Sequence, residues 1–380
     1  MKKIYWHTHN LPRIFIILLC LTTLIGMAVV EHFKKFVPVE NYSLKVSAAH
    51  TARNAMTDAK KLRLSLNIPI DKSIDPQQSG LIGKTITDIT SDSGDIITKR
   101  TTINPNIVAI FINWMEKINL QAGDTVAVGA TGSFPALDID MLAAIQALQL
   151  KPLIIYSAAA SQYGANIPGF TFIDIQHYLY KNGIFKYKPL AVSLGGGKDM
   201  ASHMSDKGRN ILINTIKKYN YTQLSPTSTI DSINQRMDIY NNAAKNNAIS
   251  AYINVGGGMA SIGLKQVKHK TIKSIDNPHS FPTGVITEMP ISLANTDSVA
   301  IRFLKKGVPV INVHNIGTKL RKQYGLPIDA QYSIIGWGKL FFHEAYNKLL
   351  TSIVLGFIVA ILILMAVLSR KYRIRYIPPK

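Results

Sequence analysis
The sequence predicts an α/β body built on a mainly parallel, Rossmann-like sheet with helices on both faces, flanked by amino- and carboxyl-terminal transmembrane helices. Three observations predict it. Two charge-free apolar stretches bracket the chain, at 14–30 and 349–368. Between them, short apolar runs alternate with helical patterns, as in a parallel sheet joined by crossover helices. Several of those runs end in glycine-rich loops.

The first stretch reads IFIILLCLTTLIGMAVV and the second LLTSIVLGFIVAILILMAVL. A helix needs ~20 apolar residues to cross a bilayer core. The second stretch meets that length; the first falls short and would draw on Leu11 and Pro12 or on local thinning. A cleaved signal peptide is the alternative, because Gly26-Met27-Ala28 is a small-x-small site. Against it, the apolar region exceeds the ~7–15 residues of a signal core. Cys20, an apolar membrane residue here, is the only cysteine. The body therefore has no disulfide, no thiolate metal site and no cysteine nucleophile.

The flanks set an orientation. Lys2, Lys3 and Arg13 precede the first stretch. Arg370, Lys371, Arg373, Arg375 and Lys380 follow the second with no acid among them. Positive flanks stay cytoplasmic. Both termini are thus expected in the cytoplasm, with the main domain periplasmic and the chain a two-pass protein of a bacterial inner membrane. The expected divisions are a tail at 1–13, a span at 14–30, a juxtamembrane helix and long loop at 31–105, an extracytoplasmic α/β domain at 106–340, a span at 349–368 and a basic tail at 369–380.

Net charge is +21, and glutamate is confined to Glu31, Glu40, Glu116, Glu288 and Glu344. Such a field concentrates polyanions. Outside the cytoplasm nucleic acid is an unlikely partner; an anionic polymer, a cell-wall component or lipid headgroups suit it better. A basic body that merely follows basic overall composition is the plainer alternative.

Residues 40–66 have helix-forming composition without Gly or Pro. Residues 67–105 are rich in Ser, Thr, Asp, Gly and Pro and read as a long ordered loop with one or two short strands, a functional length. Asn106 to Ile118 reads as a helix with Pro105 near its start. Strands follow at 125–128, 152–156, 190–194, 251–255 and 308–313. Helices follow at 138–148, 206–219, 232–247 and 296–306.

In open α/β sheets ligands bind beyond the carboxyl ends of strands. Three such ends carry glycine: Gly129 to Asp138, with Thr131, Gly132 and Ser133; Gly195, Gly196, Gly197, Lys198 and Asp199; and Gly256, Gly257 and Gly258. Glycine lets backbone approach a ligand closely, and a helix start suits an anion. None matches a P-loop or a dinucleotide fingerprint. Tight strand-to-helix turns are the structural alternative. Lys99 and Arg100 are a candidate anion-contacting edge, or a solvated loop. Ser133 is a candidate nucleophile with His314 at a strand end as its base, although Pro135 breaks G-x-S-x-G. His177, His203, His269 and His279 show no metal-ligand spacing, so no metal or cofactor is expected. Asp138 and Asp140 read as helix-start capping residues.

The segments GDTVAVGATGSFPALDIDMLAAIQAL (123–148), TKRTTINPN (98–106), SQYGANIPGFTFIDI (161–175) and VSLGGGKDMASHMSDKGRNIL (192–212) resemble the poly-γ-glutamate system protein of bacterial capsule-type loci. KRTTINP followed by GSFPAL is the specific part, and the resemblance covers about residues 45–330. It implies a membrane-anchored accessory component of poly-γ-glutamate (capsule) synthesis or export, binding the polymer or scaffolding membrane synthase and export subunits. It carries over no catalytic residues. The alternative is an extracytoplasmic hydrolase or transferase that trims or attaches the polymer through the loop around Ser133. A third, a cytoplasmic nucleotide-binding protein, requires the opposite topology.

Overall fold
The computed structural model describes residues 13–245, 247–263, 281–293, 296–329 and 331–373. His269 and His279 lie outside them. The elements run α1 (Arg13–His32), β1 (Lys35–Pro38), α2 (Tyr42–Ser65), α3 (Ile96–Thr102), α4 (Val108–Lys117), β2 (Thr125–Thr131), α5 (Pro135–Ala147) and β3 (Lys151–Ser157). Next come β4 (Asn166–Ile167), β5 (Phe170–Thr171), α6 (Phe172–Lys181), β6 (Ala191–Ser193), α7 (Asp206–Lys218), α8 (Thr229–Ala244) and β7 (Ile249–Val255). The chain closes with α9 (Met259–Ile262), β8 (Gly284–Ile286), α10 (Val299–Lys305), β9 (Val310–Val313), α11 (Gly317–Lys322), β10 (Phe342–Ala345) and α12 (Lys348–Arg373).

The chain divides into two units, one of 1–39 with 342–380 and one of 40–341. In the first, α1 and α12 pack on one another and β1 pairs antiparallel with β10, Lys35 opposite Ala345. Both helices are long and apolar enough to cross a membrane. The first reaches 20 residues by taking in Arg13, Glu31 and His32. Gly26 lets the pair approach: a Cβ there would lie 2.6 Å from Val354 Cγ1, the small-residue contact that membrane helices favour.

The second unit is built on a six-stranded sheet in the order β6-β3-β2-β7-β9-β8. Every pairing in it is parallel except β8 with β9. Its central strands are apolar on both faces, as burial under two helical layers requires. On one face Ala127, Ile155 and Tyr252 meet Ile233, Met237 and Tyr240 of α8 and Val299, Phe303 and Leu304 of α10. α5 packs on β2 and against α2 and α4. It is buried from Pro135 to Ile145, so apolar residues lie on every side of it, with Asp138 and Asp140 enclosed among them.

Three expectations are corrected. α5 starts at Pro135, because proline's fixed φ suits a first helical position; Asp138 and Asp140 are inside it and cap nothing. Residues 67–105 hold no strand; they hold an isolated bridge from Thr90 to Ala160 and the helix α3. α6 was not expected, although Thr171 and Asp174 form a capping box at its start.

The long segment after α2 is ordered by buried side chains. Arg63 donates to the carbonyls of Pro69, Gly80 and Ile82 at 2.7, 3.1 and 2.7 Å. Asp75 accepts from the amides of Ser79 and Gly80. The chain then runs along residues 160–166: Ser91 N donates to Ala160 O and Gln162 N to Asp92 O. Asn166 clamps Lys84 by accepting from its amide and donating to its carbonyl.

Candidate functional site: a cavity at the carboxyl edge of the sheet
Parallel register carries the strand ends to one edge. Thr131 lies opposite Ser157, Ser157 opposite Ser193, Ala130 opposite Val255 and Val255 opposite Val313. A cavity of about 900 Å³ opens there. Its walls include Ser91 to Asp95, Thr98 and Lys99 from the long segment, and Ser133 and Ser161 from the loops after β2 and β3. Gly196, Gly197 and Asp199 follow β6; Gly257 and Gly258 follow β7; His314 and Arg321 follow β9.

Lys99 stands on α3 and is only 2% exposed. The helix exists because Asp95 caps it, accepting from the amides of Ile97 and Thr98 at 3.1 and 3.0 Å. A Cβ on Gly317 would overlap Thr98 Oγ1, so α11 lies tight against α3. Lys99 Nζ donates to the carbonyl oxygen of Ser133 and, at 2.9 Å, to Ser161 Oγ. It also lies 3.7 Å from the centre of the Phe134 ring. Burial pulls its pKa down to about 7, against the opposing pull of Asp138 and Asp95. Removing an ammonium from water disfavours its charged form.

Both carboxylate oxygens of Asp138 are enclosed without a hydrogen-bond partner, as is the Tyr156 hydroxyl. Burial raises the Asp138 carboxyl well above the usual range, and the neighbouring Lys99 works against that rise. Asp140 is raised by burial in the same way. A buried polar group without a partner asks for an explanation. Asp138 lies by the buried amine of the cavity wall; for Asp140 the structure offers no account. His314 is also enclosed, its Nδ1 unpartnered. Burial, then the charge of Lys99, brings its pKa down to about 4, so it is neutral at neutral pH. Arg321 Nη1 is enclosed without a hydrogen-bond partner, while the charge of Arg321 acts on Asp95.

The loop after β6 is strained and pinned. Gly195 and Gly196 have φ of 75° and 64°, and Lys198, Asp199 and Ala201 follow at 54°, 65° and 52°. Left-handed backbone at non-glycine residues costs about 1–3 kcal/mol each and persists only where its surroundings fix it. Arg236 of α8 provides that: its Nε and Nη2 donate to Asp199 Oδ2 at 3.0 and 2.8 Å. Ser193 Oγ donates to Asp199 Oδ1 at 2.6 Å and Ser232 Oγ to Oδ2 at 2.5 Å. Burial works against the Arg236 charge, but Asp199 together with Tyr240 and Tyr252 holds the guanidinium above its ordinary pKa.

Of the residues singled out in the sequence, Lys99, Thr131, Ser133, Gly196, Gly197, Asp199, Gly257, Gly258 and His314 line this cavity. Gly129, Gly132, Gly195, Lys198, Gly256 and Arg100 do not. Gly129 is inside β2, where a Cβ would overlap the Tyr252 hydroxyl. Arg100 pairs bidentately with Asp329. Lys198 points to solvent. No hydrogen bond joins Ser133 to His314 among the described residues; Ser133 Oγ accepts from the Ser161 amide at 3.1 Å. Ser161, Asp138 as Lys99's neighbour, and Arg321 went unnoticed in the sequence. Among the described residues no group of three or more His, Cys, Asp or Glu is arranged to hold a metal ion.

A shallower cleft of about 470 Å³ lies at the opposite edge, before β6, lined by His177, Lys181, Lys188, Lys218, Tyr219 and Tyr221. The fold and the site thus define a class: an α/β protein with an apolar helix at either end and a strand-end cavity carrying a buried amine beside a serine hydroxyl. Comparison of the chain with protein-family models, curated proteins and solved structures finds no match.

Proposed function
We propose that the chain is a membrane-anchored accessory component of poly-γ-glutamate (capsule) synthesis or export, whose Rossmann-like body takes the polyanion at the carboxyl edge of its sheet. The observation that carries the reading is the cavity there, to which Arg321 brings a guanidinium with one nitrogen, Nη1, free of hydrogen bonds, in the field of Asp95. A guanidinium is suited to a carboxylate, and poly-γ-glutamate presents one on every residue. Eight cations lie in the two terminal tails, and the net charge of +13 on the rest of the chain draws such a polymer in. Numbered within the sheet, the parallel strands follow the order third, second, first, fourth, with β9 beyond. The crevice where that order reverses, between β2 and β7, is where doubly wound sheets receive ligands.

The two apolar helices anchor the chain in the inner membrane, and the basic flanks keep both termini in the cytoplasm. The body then faces the periplasm, alongside synthase and export subunits in the same bilayer. Passage of the full chain in detergent micelles over immobilised poly-γ-glutamate tests the reading. Retention at low salt that fades as ionic strength rises is expected. Free passage at low salt would count against it.

A further inference from the structure
We propose that Ser161 and Lys99 form a nucleophile–base pair that cleaves or transfers amide bonds in a carboxylate-bearing chain, with Arg321 holding a substrate carboxylate. The substrate class rests on the reading of this protein as a handler of poly-γ-glutamate, a polyamide; the pairing of the two residues does not.

The geometry has the parts that activation of a serine needs. Lys99 Nζ and Ser161 Oγ are 2.9 Å apart, hydrogen-bond distance, though 62 residues apart in sequence. Both line the cavity, so a substrate reaches them. A weak hydroxyl nucleophile needs an adjacent base, and lysine serves serine in this way on unrelated folds. An amine does so only when neutral. Its enclosure supports that state: burial leaves Lys99 with a pKa of about 7. A neutral amine has two N–H groups and one lone pair. One N–H is donated to the Ser133 carbonyl. The lone pair then faces Ser161 and accepts the Ser161 O–H. Ser161 is itself positioned, because its amide donates to Ser133 Oγ.

The charged groups around the amine act in both directions. Asp95 caps its helix with Asp92 just before it, Asp138 lies beyond the wall, Asp199 and His203 line the cavity from the segment after β6, and His314 and Arg321 face it from the segment after β9. Asp138 and Asp95 raise the Lys99 pKa. Asp138 is enclosed without hydrogen-bond partners and burial raises its own carboxyl, which works against its charge in this role. His314 is neutral at neutral pH.

The step balances without a cofactor. Ser161 Oγ bonds to the amide carbonyl carbon as its proton passes to Lys99 Nζ. The tetrahedral adduct collapses by breaking the C–N bond, and the leaving amine takes the proton back from Lys99. Water, activated by the same amine, hydrolyses the ester to a carboxylic acid. A second amine in place of water makes a new amide instead, which is attachment rather than trimming.

The test incubates the full chain in detergent micelles with poly-γ-glutamate of narrow length distribution, with and without hydroxylamine. Product is sized, and hydroxamate ends are counted. Shortened chains are expected, with hydroxamate at the new ends and a rate that climbs through about pH 7. S161A and K99M should each lower the rate at least about 100-fold, the scale of a lost base. S161A removes one oxygen and carries the test if K99M fails to fold. Retention of the chain on immobilised poly-γ-glutamate with free polymer left at its original length overturns the pair and leaves polymer binding standing; no retention and no cleavage overturns both. Full activity in S161A, or its loss in S133A alone, also refutes the assignment.

Discussion
Asp199 and Arg236 form an ion pair enclosed beneath the carboxyl edge of the sheet, their side chains 5% and 1% exposed. It ties the strained loop after β6 to α8. Burying two charges gains little over an apolar pair, but removing one partner leaves the other charge stranded. R236M should therefore cost about 3–5 kcal/mol. Adding D199N to R236M should recover part of that loss. Thermal unfolding of the full chain in detergent, followed by near-ultraviolet circular dichroism, measures both.

Lys99 gives stability a pH dependence of definite sign. Its folded pKa of about 7 lies below its ordinary 10.5. Between those values the unfolded chain binds more protons, so stability increases with pH. This contribution is complete above the ordinary value and is lost as pH falls through about 7. K99M lacks it. The stability difference between wild type and K99M should shift in favour of wild type by a few kcal/mol across that window. Denaturation curves of the two proteins at both ends of the window provide the measurement. Asp138 works the other way: its raised pKa stabilises in acid and is lost as pH climbs.

Gly256 makes the turn out of β7 with φ of 106°, and a Cβ there would overlap Thr131 Oγ1. Strain and overlap act together, so G256A should destabilise by about 1–3 kcal/mol. It should also push Thr131 into the cavity and weaken retention on poly-γ-glutamate. Unfolding and column retention of one preparation measure both effects.

The proposed sidedness rests on the flanking charges. Reporters active only outside the cytoplasm should work when inserted near residue 80 and fail at either terminus. An active terminal fusion would reverse the orientation.

The sheet was legible because its strands carry their own signals. Val126 to Val128, Ile154 to Tyr156 and Ala251 to Val255 are short apolar runs bounded by breakers, and burial on both faces demands that pattern. β8 was not legible: three residues at an edge, Gly284 to Ile286, make no pattern. The glycine loops pointed to the edge where the cavity opens, but not to the packing of each glycine. Gly129 is needed for Tyr252 rather than for a ligand, and only the packed sheet reveals that. Lys99 reads in the sequence as part of an anion-contacting edge or of a solvated loop, because its neighbours include Ser, Thr, Asp and Arg. Its amine is enclosed by Ser133, Phe134 and Ser161, brought to it by the loops after β2 and β3, 34 and 62 residues away for Ser133 and Ser161. The Asp95 cap before Ile96 and Ile97 was the local signal of α3. Ser161 has no local signal, since its chemistry depends on an amine delivered from another element.

The most direct measurement uses poly-γ-glutamate carrying a photoreactive group, irradiated with the full chain and mapped by peptide mass spectrometry. The account predicts cross-links on the segments that wall the strand-end cavity, 91–99, 131–134, 257–259 and 314–321. Cross-links confined to the opposite cleft around Lys181, Lys188 and Lys218, or none above those to an uncharged polymer, would contradict it.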